Sequence, residues 1–171
     1  MMKQIQGDKD MNIYEFAILM ELEGEKYYTE QAEINKGNRL NTILLMLAQD
    51  ERNHADILQK KYEVSSYEMM ENDLMTEVKN VFEEAKNFKD DIKAAPDQLD
   101  FYRMALEKEK QSIDLYHKYH SEATEIETKE LFEYLMNQEK EHFEILEEIV
   151  LMINKANEWV ESAEFGIREE Y

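Results

Sequence analysis

The chain contains no cysteine. That absence excludes disulfides, thiolate zinc sites, cysteine-ligated iron–sulfur clusters and a rubredoxin-type module, so any metal must be held by oxygen and nitrogen donors. Proline occurs once and glycine four times in 171 residues. So few turn formers and helix breakers favour long helices over sheets. No apolar run reaches the length of a membrane span, and the opening MMKQIQGDKDMN lacks the apolar stretch of a secretory signal. The chain is therefore expected to be soluble, unexported and cytoplasmic. Positive charge is also scarce: 20 Lys and Arg stand against 40 Asp and Glu, for a formal net charge of -20. Such a surface repels nucleic-acid phosphates and anionic membranes, and neither is expected as a partner.

Hydrophobic residues make up 43% of the chain, enough for one sizeable core, and a single domain over 1–171 is expected. Asn12 and Glu15 can form a capping box that opens a first helix, which INKGN stops near Asn35. Asn38 can cap a second helix to about Tyr62. A third is expected from near Pro96 and Asp97, and a fourth from Thr124 with Glu127 to about Asn157. The helical hairpins span about 12–62 and 97–157. The intervening 63–96 is too long for a tight turn and is partly helical in pattern around Leu74 to Phe88. The expected fold is all-α, a four-helix bundle with a long crossover between its second and third helices, as in ferritin-like bundles, plus a C-terminal tail, 158–171. In that tail Trp159 and Phe165 suggest docking onto a surface or a partner subunit, with a loose end as the alternative. The charge-rich MENDLMTEVKN and YHSEATEIETKE read as solvated faces.

The sequence repeats itself at an offset of 88 residues. Tyr14 falls on Tyr102, Ala17 on Ala105, Glu21 on Glu109 and Tyr28 on Tyr116; in the second helix of each half, Leu47 falls on Leu135, Glu51 on Glu139, His54 on His142 and Leu58 on Leu146. One offset serves both hairpins, which indicates a duplicated hairpin packed about a pseudo-two-fold axis.

At steps of three and four, the second helix presents Leu44, Leu47, Glu51, His54 and Leu58, and the fourth presents Phe132, Leu135, Glu139, His142 and Leu146. The first gives Tyr14, Ala17, Glu21, Gly24 and Tyr28; the third gives Tyr102, Ala105, Glu109, Ser112 and Tyr116. Each core-facing stripe thus carries a Glu. A lone ExxH in a Glu-rich helix usually marks a solvated face, but here two copies lie on apolar stripes. Four buried carboxylates with no stripe Lys or Arg need compensation, because an unpaired buried ion costs several kcal/mol. Two divalent cations would supply it, with Glu21, Glu51, His54, Glu109, Glu139 and His142 as ligands, since residues at i and i+3 share a helix face. Such donors suit iron or manganese, and zinc can occupy them too. Tyr28 and Tyr116 stand two turns from proposed ligands, either as core aromatics with satisfied hydroxyls or as hydrogen-bond donors in catalysis. Gly24 and Ser112 allow close helix approach or leave room at the metals, and His117 and His120 read as surface or helix-end residues.

MELEGEKYY, DERNHADIL, LEKEKQSIDLY and QEKEHFEIL, in that order, resemble the four core helices of rubrerythrin-like di-iron proteins of the ferritin-like superfamily, over about residues 11–155. The resemblance implies that Glu51 and Glu139 bridge two irons, that Glu21 and Glu109 are terminal ligands, and that His54 and His142 bind one iron each. It implies an oxidoreductase active in oxidative stress, reducing hydrogen peroxide or dioxygen, and a homodimer. Without cysteine the chain lacks the rubredoxin centre of two-domain rubrerythrins, so turnover needs a separate electron-donor protein. Ser112 also departs from the pattern, standing one turn after Glu109 where a further carboxylate ligand is common. The alternatives are a ferroxidase feeding iron into storage, which needs a hollow oligomer, and an interaction protein with a structural metal.

Overall fold

The first helix opens on the expected capping box. Asn12 Oδ1 accepts the Tyr14 and Glu15 amides at 2.9 and 3.0 Å, and the Glu15 carboxylate reaches back to the Asn12 amide at 3.2 Å. The computed structural model describes residues 11–64, 66–84 and 98–166. Among these are five helices: α1 (Ile13–Ile34), α2 (Arg39–Tyr62), α3 (Leu74–Glu83), α4 (Leu99–Glu122) and α5 (Ile126–Gly166). Asn38 caps α2 through the Asn41 amide. Gly37, between α1 and α2, has φ +91°, a conformation that costs glycine little and an L side chain more.

Each hairpin is a pair of sequential helices joined by a few residues, α1 with α2 and α4 with α5, and the crossover between them carries α3. This is a ferritin-like helical bundle. Two apolar clusters fill it. One gathers Tyr28, Leu40, Ile43, Leu47, Tyr102, Ile145 and Ile149, and the other Ala17, Leu58, Tyr116, Leu131, Phe132 and Leu135. The four stripe glutamates lie along the helices between these clusters, so the polar centre is walled by apolar side chains above and below. An amide network fixes one end. Gln98 Oε1 accepts from Gln31 Nε2 and from Asn35 Nδ2, both at 2.8 Å, tying the α1–α2 turn to the start of α4.

Three points differ from the sequence reading. The stretch MENDLMTEVKN is not a wholly solvated face, because α3 buries Leu74 and Val78 against the first cluster. The third helix begins at Leu99 after Gln98; the expected start at Pro96 and Asp97 lies outside the described residues, as does the crossover pattern at 85–88. The fourth begins at Ile126, placing Glu125 rather than Thr124 at its head. It also continues past Asn157 to Gly166, making most of the C-terminal tail helical, since NEWVESAEF offers no Pro or Gly to stop it. Trp159 is exposed there, while the side chain of Phe165 and residues 167–171 lie outside the described residues. No described helix is long and apolar enough to cross a membrane.

Phe132 is fully buried, with ring centroids 6.0 Å from Tyr14, 6.0 Å from Tyr116 and 5.4 Å from Tyr119. Phe132→Ala is expected to cost about 3–5 kcal/mol of unfolding free energy, read as a lowered urea midpoint at unchanged slope.

Candidate metal centre

All six stripe residues singled out as ligands meet in the middle of the bundle, each at most 4% exposed. Glu21 comes from α1, Glu51 and His54 from α2, Glu109 from α4, and Glu139 and His142 from α5. Their donor atoms fall into two groups, each within 4.8 Å: Glu21, Glu51, His54 and Glu139 in one, Glu51, Glu109, Glu139 and His142 in the other. The groups share Glu51 and Glu139.

Contacts run both within and between the halves. His54 Nδ1 lies 2.9 Å from Glu139 and 3.3 Å from Glu21; His142 Nδ1 lies 3.0 Å from Glu51 and 3.8 Å from Glu109. The imidazoles stack with centroids 5.5 Å apart. Tyr28 of α1 donates its hydroxyl to Glu109 of α4, and Tyr116 of α4 donates to Glu21 of α1. The sequence left the two tyrosines as core aromatics or catalytic donors; the structure gives both hydroxyls to stripe glutamates, Glu109 and Glu21. His117 is exposed and His120 half-buried, away from the centre.

The electrostatics are those of crowded carboxylates in a dry place. Burial first, then the Glu21 and Glu109 carboxylates, hold Glu51 well above the usual range; burial with Glu21, Glu51 and Glu109 does the same to Glu139. Glu21 and Glu109 resist the same burial, since His54 and Tyr116 beside Glu21, and His142 and Tyr28 beside Glu109, bring them below it. Burial opposes charge on His142, but the Asp50, Glu109 and Glu51 carboxylates around it outweigh that and hold it well above the usual histidine value.

The residues fit a metal pair. Glu21 Oε2, Glu51 Oε1, Glu139 Oε1, His54 Nδ1 and His142 Nδ1 are buried with no hydrogen-bond partner, although the imidazole nitrogens approach the carboxylates to about 3 Å. Atoms so close yet not in hydrogen-bond geometry are arranged as ligands converging on common points. Gly24 makes room for one of them: a Cβ there would stand 2.6 Å from Glu51 Oε2. Beside it, a cavity of about 470 Å³ between α1 and α4 runs from Phe16, Leu19 and Leu115 to Tyr28, Glu51 and Glu109, with Ser112 in its wall.

Sequence reasoning missed Asp50. It is 6% exposed, and its Oδ2 lies 2.8 Å from His142 Nε2, where a carboxylate fixes the ring so that Nδ1 faces the glutamates. Asn72, from the stretch read as solvated, donates to Asp50 Oδ1 at 2.7 Å and to Gln138 Oε1 at 2.9 Å. Asp50 lies one residue before Glu51 and three after Leu47, at the edge of the core stripe. The available signal was its place four residues ahead of His54, one helical turn away.

Among protein families, the rubrerythrin family model matches residues 12–150. No curated protein and no solved structure matches the chain.

Two outcomes are expected. In metal-stripped protein, His142, Glu51 and Glu139 hold protons more tightly folded than unfolded. Their contribution is complete below the ordinary values of 6.5 and 4.5 and is lost as pH rises through the raised folded ones. Glu21 and Glu109 act oppositely, losing stability as pH falls below 4.5. The melting temperature of stripped protein should therefore peak near about pH 5 and fall as pH rises past neutrality; a rise between about pH 6.5 and 8.5 contradicts this. Gly24→Ala should leave stripped protein as stable or up to about 1 kcal/mol more stable, because alanine favours helix, while displacing Glu51 and shrinking the metal-induced rise in melting temperature. An undiminished rise would show that Glu51 does not need the space.

Proposed function

The chain belongs to the rubrerythrin family, and on that footing we propose that it is a di-iron oxidoreductase that reduces hydrogen peroxide, or dioxygen, with electrons from a separate donor protein. The observation that carries this reading is the pair of four-residue ligand groups sharing Glu51 and Glu139. Glu51 and Glu139, common to both groups, would serve both ions of a pair, with Glu21 and His54 completing the set for one and Glu109 and His142 for the other. Two ferrous ions held there would supply the two electrons that, with two protons, turn hydrogen peroxide into two waters.

The protein's own part is positioning and exclusion. Tyr28 and Tyr116 hold Glu109 and Glu21 by hydrogen bonds from the opposite half, which limits the rotamers open to the terminal carboxylates. Asp50 orients the His142 ring. The apolar clusters keep bulk water from the centre along the bundle axis, while the cavity beside Gly24 and Ser112 leaves small molecules a lateral approach to Glu51 and Glu109. The 171 residues hold no cysteine-based redox centre, and in this reading a separate protein supplies the electrons.

The test is an anaerobic titration. Stripped protein should take up two ferrous ions per chain, and the loaded protein should be oxidised by about one peroxide per chain and then stall until a donor is added. Stoichiometry well under one iron per chain argues against the reading, and sustained NAD(P)H-driven turnover by the isolated chain refutes donor dependence. Glu51→Ala and Glu139→Ala should cause comparable loss of iron, because each removes a ligand common to both ions. His54→Ala and His142→Ala should be milder, weakening chiefly one ion each. Full iron content in Glu139→Ala would sink the shared-site model.

A further inference from the structure

The two halves of the centre match in every proposed ligand but not in what stands behind the histidines. At the offset of 88 residues, the partner of Asp50 is Gln138, so the second half has an amide where the first has a carboxylate. Both residues are 6% exposed. The duplicated fold crosses these contacts, setting Asp50 of the first half against His142 of the second, at 2.8 Å from Nε2. His54 receives no equivalent. Its Nε2 is 3.7 Å from Asp50 Oδ2, too far for a hydrogen bond, and is buried without a partner.

Asn72 maintains the inequality. Its Oδ1 accepts the Leu74 amide at 3.4 Å, at the head of α3, and its Nδ2 donates to both Asp50 Oδ1 and Gln138 Oε1. The first bond aims Asp50 at His142. The second holds the Gln138 carbonyl against Asn72, and His54 Nε2 finds no hydrogen-bond partner. The crossover, which has no counterpart in the internal repeat, thus reaches the centre and breaks its symmetry.

We propose that the centre is graded: Asp50, positioned by Asn72 of the crossover, makes the position of His142 and Glu109 the tighter metal position, and leaves the position of His54 and Glu21 the weaker and more readily vacated one. This rests on the dinuclear reading above. A histidine that donates its outer N–H to a carboxylate has one tautomer and one orientation and is the stronger donor at its other nitrogen. Loss of such a partner typically weakens metal binding by roughly 10- to 100-fold. Asp50 and Asn72 are positioning residues, acting through His142.

The experiment titrates the metal-stripped full chain anaerobically with Co(II), following visible absorption and the hyperfine-shifted exchangeable protons of the bound imidazoles. Wild type should fill in two steps, the first equivalent roughly 10- to 100-fold tighter than the second. After one equivalent, one shifted imidazole N–H should exchange slowly with solvent. Asp50→Asn should weaken the first step until the two merge, and should speed that exchange, which a merely structural loss would not do selectively. Asn72→Ala should act in the same direction but less. Gln138→Asp should supply the missing carboxylate and tighten the second step, an outcome independent of whether Asp50→Asn folds. A single step of equal affinities in wild type overturns the proposal, as do two steps unmoved by Asp50→Asn, Asn72→Ala and Gln138→Asp. Absence of any saturable Co(II) binding in wild type overturns instead the dinuclear reading beneath it.

Discussion

Four carboxylates are buried together with two imidazoles beside them, and the rest of the bundle is arranged around that cost. No Lys or Arg lies on the core stripes to neutralise Glu21, Glu51, Glu109 and Glu139. In the apolar interior the choices are protonation, which the raised positions of Glu51 and Glu139 express, or cations. The apolar clusters on either side make the problem sharper by drying the site, and they also set the rigid spacing that lets six side chains meet. A fold stabilised by burial therefore carries at its centre a group of residues that burial penalises, and metal ions are the agents able to reconcile the two.

Symmetry explains how so short a chain builds such a centre. A hairpin that offers one Glu from its first helix and Glu with His from its second is half a site. Duplicated and packed against itself, it completes each half with donors from the other: His54 meets Glu139, His142 meets Glu51, Tyr28 holds Glu109, and Tyr116 holds Glu21. Neither hairpin has a finished centre alone. The cross-pairing makes assembly of the hairpins and formation of the site the same event, and Asn72 brings the crossover into it.

The parts legible in the sequence were those governed by periodicity and local capping. Helical spacing put Glu51, His54, Glu139 and His142 on the same stripes as Leu47, Leu58, Leu135 and Leu146, and an inward position there is close to forced. Asn12 and Asn38 announced their helices because their side chains satisfy amides within three residues. What escaped depends on contacts distant in sequence. Asp50 sits at the edge of the stripe, and its partners His142 and Asn72 are 92 and 22 residues away. Asn72 lies in a charged stretch whose local pattern says solvent, and its partners are 22 and 66 residues away. The end of α5 was misplaced for a different reason: the expected tail contains nothing that stops a helix before Gly166.

The most direct test of the central claim, that cations compensate these buried carboxylates, is paired thermal unfolding of stripped and iron-loaded wild-type protein near pH 7.5, with metal content measured on the same samples. The account predicts two irons per chain in the loaded sample and a markedly higher melting temperature, since a ligand at about 1,000 times its dissociation constant adds roughly 4 kcal/mol. Loaded and stripped samples that melt together, or loaded protein carrying well under one iron per chain, would contradict it.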